Sequence, residues 1–197
     1  MHTRPPFLLF TDLDGTLLDH RTYSADAAMP ALEWLKQKAI PLIFCSSKTP
    51  EEQVCLQEKL GIRQPFIFEN GGGAGIPVEM PAMEDNLLIE PLGAYRLYYF
   101  SSVTAAEIRH FLKEIAIKTG LKLSVFDDLT PEEMQMVTGL PPEAHARASA
   151  RRCSMTIART LDEDSIRQLA LLCRERGLAL SRGGRFYTLT DEKVDKG

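Results

Sequence analysis

Only four cysteines, Cys45, Cys55, Cys153 and Cys173, are spread along the 197 residues, and no two form a CxxC pair. They sit in or beside apolar stretches, where a free thiol behaves as a small hydrophobe, so neither a disulfide framework nor a thiolate metal site is indicated. The four histidines, His2, His20, His110 and His145, also lack ligand spacing, and surface or packing roles suit them. No apolar run approaches the roughly 18 residues that span a bilayer, and Phe7 to Phe10 is too short for a signal-peptide core. The expectation is a cytoplasmic chain with no membrane partner. A basic excess is missing too: 23 Lys and Arg face 27 Asp and Glu, a formal charge of -4, which argues against nucleic-acid backbone binding. There is no internal repeat and no low-complexity tract.

Hydrophobic residues at 44% and charged residues at 25% can offset the ordering entropy of a globular fold. Phe7-Leu8-Leu9-Phe10-Thr11 is short and almost wholly apolar, as a buried central parallel strand would be. Apolar positions at Ala28, Leu32, Leu35 and Ala39 recur at helical spacing, and Ile40 to Cys45 supplies the next strand. Thr49-Pro50-Glu51-Glu52 predicts an N-cap with proline in the first turn, leading to a helix that ends near Gly61. Pro65 to Phe68 follows as a third strand. This alternation implies an α/β fold built on a Rossmann-like, doubly wound parallel sheet, with ligands beyond the carboxyl ends of its strands.

The texture changes near Leu87. Strands over Tyr95–Phe100, Ser154–Ala158, Leu178–Ser181 and Phe186–Leu189, with helices over Thr104–Lys118, Thr130–Thr138 and Asp162–Arg176, suggest an inserted α+β cap. The division expected is a core of residues 1–86 and 191–197 and a cap of residues 87–190.

Asp12 and Asp14 stand two apart at the end of the first strand, so the pleat aims both carboxylates to one side and Leu13 to the other. Like charges so close repel, unless a cation lies between them or one keeps its proton. Both remedies serve phosphoryl chemistry. The alternative is an Asp-Gly turn with two solvated acids.

Asp12-Leu13-Asp14-Gly15-Thr16-Leu17 resembles the DxDGTL signature of the haloacid dehalogenase-like phosphohydrolases. The resemblance implies that Asp12 is a nucleophile forming an aspartyl phosphate. Asp14 would protonate the leaving group and then deprotonate water. It also implies Mg2+ held by the Asp12 carboxylate and the Asp14 backbone carbonyl. Ser46, ending the second strand, matches the family's second motif as a hydroxyl donor to the phosphoryl group. Lys196, in Val194-Asp195-Lys196-Gly197, matches its lysine motif. Ser47 and Lys48 follow Ser46 as substrate-binding candidates, with Lys48 open to two readings, an anion contact or a solvated side chain.

Glu69-Asn70-Gly71 resembles the ENG loop of members with large caps, which adds Asn70 and Gly71 as substrate-binding candidates. Cys45 to Thr49, Thr138 to Pro141 and Gly183 to Tyr187 resemble the mannosyl-3-phosphoglycerate phosphatase family. That family hydrolyses a small phosphorylated sugar substrate, mannosyl-3-phosphoglycerate, to mannosylglycerate and phosphate. Arg185 is the candidate for substrate anions, the other reading being a hairpin turn with a solvated arginine. Arg151, Arg152 and Ser154 occupy a stretch where the family often has Arg-x-x-Ser-Glu-Pro, with Met155 and Thr156 replacing its last two residues. Broader sugar-phosphate or sucrose-phosphate hydrolysis is the same-fold alternative. Members continue past the lysine into a Gly-Asp-x-x-x-Asp segment that completes the magnesium site, and no such segment is found here. A C-terminally incomplete core, exposed apolar surface and a binding protein impaired in catalysis are therefore also expected readings.

Overall fold

The computed structural model describes residues 7–20, 22–83 and 87–196. Two sheets organise them. The first takes β1 (Leu9–Thr11), β2 (Leu42–Cys45), β3 (Phe66–Phe68), β4 (Gly73–Pro77), β5 (Ile89–Leu92) and β6 (Tyr95–Tyr99), in the order β1-β2-β3-β4-β6-β5. Pairing is parallel from β1 to β3 and antiparallel beyond. The α/β class expected from sequence is present, with a mixed sheet in place of a wholly parallel one. A tight return from β3 to β4 leaves no room for the helical crossover that a parallel neighbour needs.

Helices α1 (Met29–Gln37) and α2 (Pro50–Lys59) connect the parallel strands. In α2 the cap expected from Thr49-Pro50-Glu51-Glu52 closes fully: Thr49 Oγ1 accepts the Glu52 N–H, and the Glu52 carboxylate accepts the Thr49 N–H. Thr104 and Thr130 form the same box with Glu107 and Glu133 at the starts of α3 (Ala105–Thr119) and α4 (Pro131–Thr138).

Two expectations need correction. Among the described residues Phe7 to Thr11 is not covered on both sides, because β1 pairs with β2 alone and Phe10 is 56% exposed. A wholly apolar run does not by itself say whether both faces are covered. Nor do the first two strands after Leu87, β5 and β6, leave the first sheet: β6 pairs with β4, and Phe66 meets Tyr95 edge-on at 5.2 Å. The departure to a second layer comes only after Tyr99.

The second sheet has β7 (Ser154–Ile157), β8 (Leu178–Gly183) and β9 (Phe186–Asp191) in the order β7-β9-β8, all antiparallel. Its residues alternate. Met155, Ile157, Leu178 and Leu189 pack in one cluster with Ile108, Phe111, Leu112 and Ile115 of α3 and with Leu169 and Cys173 of α5 (Glu163–Glu175). Ser154, Thr156, Ser181, Thr188 and Thr190 alternate with them and so face the other way. Where β9 leaves the sheet, the Asp191 carboxylate accepts the N–H (2.8 Å) and O–H (2.6 Å) of Ser102, tying together the two connections between the sheets.

Candidate functional site

A cleft of about 440 Å³ lies between the end of β1 and the hydroxyl-bearing face of the second sheet. Asp12 and Asp14 both line it while Leu13 is 0% exposed, the disposition the pleat requires. The turn that follows is real as well: the Gly15 N–H donates to the Leu18 carbonyl, with Gly15 at φ +73°. The Asp-Gly turn and the shared direction of the two acids thus belong to one backbone.

Each acid meets a cation. Lys196 Nζ lies 3.1 Å from Asp12 Oδ1, and Lys48 Nζ lies 3.0 Å from Asp14 Oδ1. Lys48 is 13% exposed, so it is not the solvated side chain of the second reading. It also faces Glu52 Oε1 at 3.8 Å and the Tyr23 ring at 5.5 Å. Burial works against its charge, but the Glu52 and Asp14 carboxylates more than offset this and hold its pKa above the ordinary lysine value.

Ser47, Asn70 and Arg185 also line the cleft, whereas Ser46 and Gly71 do not. Ser46 is 1% exposed, and its hydroxyl accepts the Lys48 N–H at 3.3 Å within its own loop. Its backbone N–H reaches the Ile67 carbonyl, and its own carbonyl accepts from Asn70. In this arrangement Ser46 shapes the loop that presents Ser47 and Lys48. Gly71, at φ +95°, serves close approach: a Cβ there would lie 2.0 Å from the Asp195 carbonyl oxygen. That contact seats the segment bearing Lys196. Arg185 fits both of its readings. It follows the Gly183-Gly184 hairpin, donates to the Thr138 carbonyl at the end of α4 (2.7 Å) and still borders the cleft.

Two features escaped the sequence reading, the pair of Thr156 and Thr188 and the burial of Glu69, while Arg151, named there only within a family-like stretch, now takes a definite place. Arg151 lines the cleft, donating from Nη1 to the Ser47 carbonyl (3.2 Å) and Ser154 Oγ (2.9 Å). Thr156 and Thr188 share a hydroxyl hydrogen bond (3.2 Å) on the same wall, and the strict alternation of β7 to β9 was the available signal for it. Glu69 is 0% exposed, with its carboxylate turned toward the second sheet.

Among the described residues no three His, Cys, Asp or Glu side chains gather as a self-sufficient metal site. The Asp12 carboxylate and the neighbouring Asp14 carbonyl are nonetheless oxygen donors of the kind magnesium takes when substrate phosphate and water complete its shell. The donor set thus fits an ion held jointly with a phosphorylated ligand.

Residues 9–86 match the model of a haloacid dehalogenase-like hydrolase family. The chain is 40% identical over 190 residues to the glucosyl-3-phosphoglycerate/mannosyl-3-phosphoglycerate phosphatase of Methanococcoides burtonii, covering 96% of this chain and 69% of that protein. It is 37% identical over 197 residues to the Persephonella marina protein of the same name, covering 96% and 68%. In fold it is similar to the crystal structure of Thermoplasma acidophilum 0175, with TM-score 0.65 and 18% identity over 96% of this chain and 66% of that one.

Proposed function

Because the chain belongs to the haloacid dehalogenase-like hydrolases and is similar along most of its length to phosphoric monoester hydrolases, we propose that it hydrolyses mannosyl-3-phosphoglycerate to mannosylglycerate and phosphate. The observation that carries this reading is the convergence of Asp12, Asp14, Lys48 and Lys196 on one cleft.

In the first step an Asp12 carboxylate oxygen attacks phosphorus. The bond from phosphorus to the glycerate oxygen breaks, and Asp14 gives that oxygen a proton as it leaves. In the second, Asp14 takes a proton from water, whose oxygen attacks phosphorus and breaks the bond to Asp12, restoring the free carboxylate. The ammonium of Lys196 beside Asp12 offsets charge between nucleophile and phosphate. Lys48 orients Asp14 through their ion pair. Magnesium bound by the Asp12 carboxylate and Asp14 carbonyl would supply Lewis-acid charge to the phosphoryl oxygens.

The second sheet accounts for substrate choice in this proposal. A glycosylated phosphoglycerate carries a second anion, its carboxylate, and a ring of hydroxyls. Arg151 and Arg185 provide planar forks for the carboxylate. Thr156 and Thr188 provide hydroxyls that donate or accept, as sugar hydroxyls require. Phosphate release measured on mannosyl-3-phosphoglycerate, glucosyl-3-phosphoglycerate, sucrose 6-phosphate and 3-phosphoglycerate tests the proposal. The expected result is preference for the first of these, and equal turnover of all four would refute it.

A further inference from the structure

Glu69 and Asn70 adopt consecutive positive φ angles, +48° and +59°. Non-glycine residues adopt this conformation at a cost, and such strain persists where surrounding contacts hold it. Here it accompanies a carboxylate carried from the end of the first sheet to the start of β7. Glu69 Oε1 accepts the Arg152 N–H at 2.7 Å, and Oε2 accepts the Cys153 N–H at 3.0 Å and the Ser154 O–H at 2.6 Å. A buried charge is tolerated when donors surround it in this way.

The third bond has a consequence for the cleft. A serine hydroxyl has one proton, and Ser154 commits it to Glu69, which leaves its lone pairs to accept from Arg151 Nη1 at 2.9 Å. Glu69, Ser154 and Arg151 thus form a polarised chain ending in a guanidinium that borders the cleft. The Phe126 ring, 5.9 Å from the guanidinium carbon, and the Ser47 carbonyl flank the same group. Arg151 Nε is buried and has no hydrogen-bond partner among the described residues, so only the Nη end of the fork is left to face the cleft.

We propose that Glu69 is a positioning residue: through the Ser154 hydroxyl it fixes Arg151 in the cleft, where the guanidinium reads the carboxylate of a substrate bearing two anionic groups. The substrate half of this inference rests on the phosphatase reading above, and the positioning half does not. Glutamine at 69 cannot serve, since whichever way its amide turns, an NH2 faces at least one of three donors. Other ties between the same segments do not involve Glu69: Arg152 pairs with Glu51 (2.5 Å) and Glu90 (3.3 Å), and Thr49 Oγ1 donates to the Arg147 carbonyl (2.7 Å).

Two measurements on Glu69→Gln and Ser154→Ala test it. Phenylglyoxal labelling followed by peptide mass spectrometry reads Arg151 directly, against exposed Arg167 as internal reference. Both variants are expected to speed Arg151 labelling several-fold and leave Arg167 unchanged, and an unchanged Arg151 rate overturns the positioning. Steady-state kinetics reads the consequence. KM for mannosyl-3-phosphoglycerate should rise about tenfold, the worth of a weakened charged hydrogen bond, with p-nitrophenyl phosphate hydrolysis unaffected. In an Arg151→Ala background Glu69→Gln should add nothing, and additive losses would overturn action through Arg151. If the parent hydrolyses neither ester while labelling still responds, the phosphatase reading fails and the positioning of Arg151 stands.

Discussion

The ammonium of Lys196 reaches Asp12 Oδ1, at 3.1 Å, because the backbone just before it lies against Gly71, where no side chain intervenes. The lysine that faces Asp12 is therefore seated by a glycine outside the cleft.

Gly71→Ala should damage both stability and turnover. The methyl would lie 2.0 Å from the Asp195 carbonyl oxygen, and φ +95° is itself strained for alanine, which together cost about 1–3 kcal/mol or more. A lower thermal midpoint and reduced phosphate release are expected, whereas Lys196→Met should reduce release with a midpoint near the parent's. Thermal unfolding and phosphate assays on the two variants separate these effects.

Replacing Thr156 and Thr188 together by valine removes a mutually bonded pair, leaving no orphaned partner in the pair. Such a change is close to neutral for folding, while a lost hydroxyl contact to the sugar costs about 1 kcal/mol, or several-fold in KM. Glycosylated substrates should show that rise, and 3-phosphoglycerate should not. An equal rise for both would remove the second sheet from sugar recognition.

Asp191 gives the protein an acid-sensitive joint. Burial pushes its pKa up, but the Ser102 hydroxyl and N–H and the Lys193 N–H outweigh this and hold it below the usual aspartate value. A carboxyl with a depressed folded pKa stabilises the protein above its unfolded value, about 3.9, and that contribution fades as pH falls through the folded one. Thermal midpoints of the parent and Asp191→Asn should differ at pH 7 and converge below about pH 4. A gap that persists at low pH would contradict this origin.

Much of the site was legible in the chain because its signals are local. The spacing of Asp12 and Asp14 fixes their common direction, and Thr49 with Glu52 fixes the start of α2, next to Lys48. What sequence did not reveal depends on contacts between distant segments. Nothing near Tyr95 says that β6 pairs with β4, and nothing near Gly71 announces Asp195. Ser46 carries a plausible hydroxyl, yet its burial and its bond to the Lys48 N–H are products of tertiary packing. That β1 has a single neighbour among the described residues could not be read from its own residues, because composition records apolarity and only pairing records whether a neighbour covers it.

The most direct test of the account is phosphate release from mannosyl-3-phosphoglycerate, with magnesium present, by the parent and by Asp12→Asn, which keeps the shape of the side chain and removes its nucleophilic charge. The parent should turn over and the variant should lose activity by about 10³-fold or more, as loss of a covalent nucleophile does. Equal release by the two would contradict the role given to Asp12 and with it the proposed mechanism.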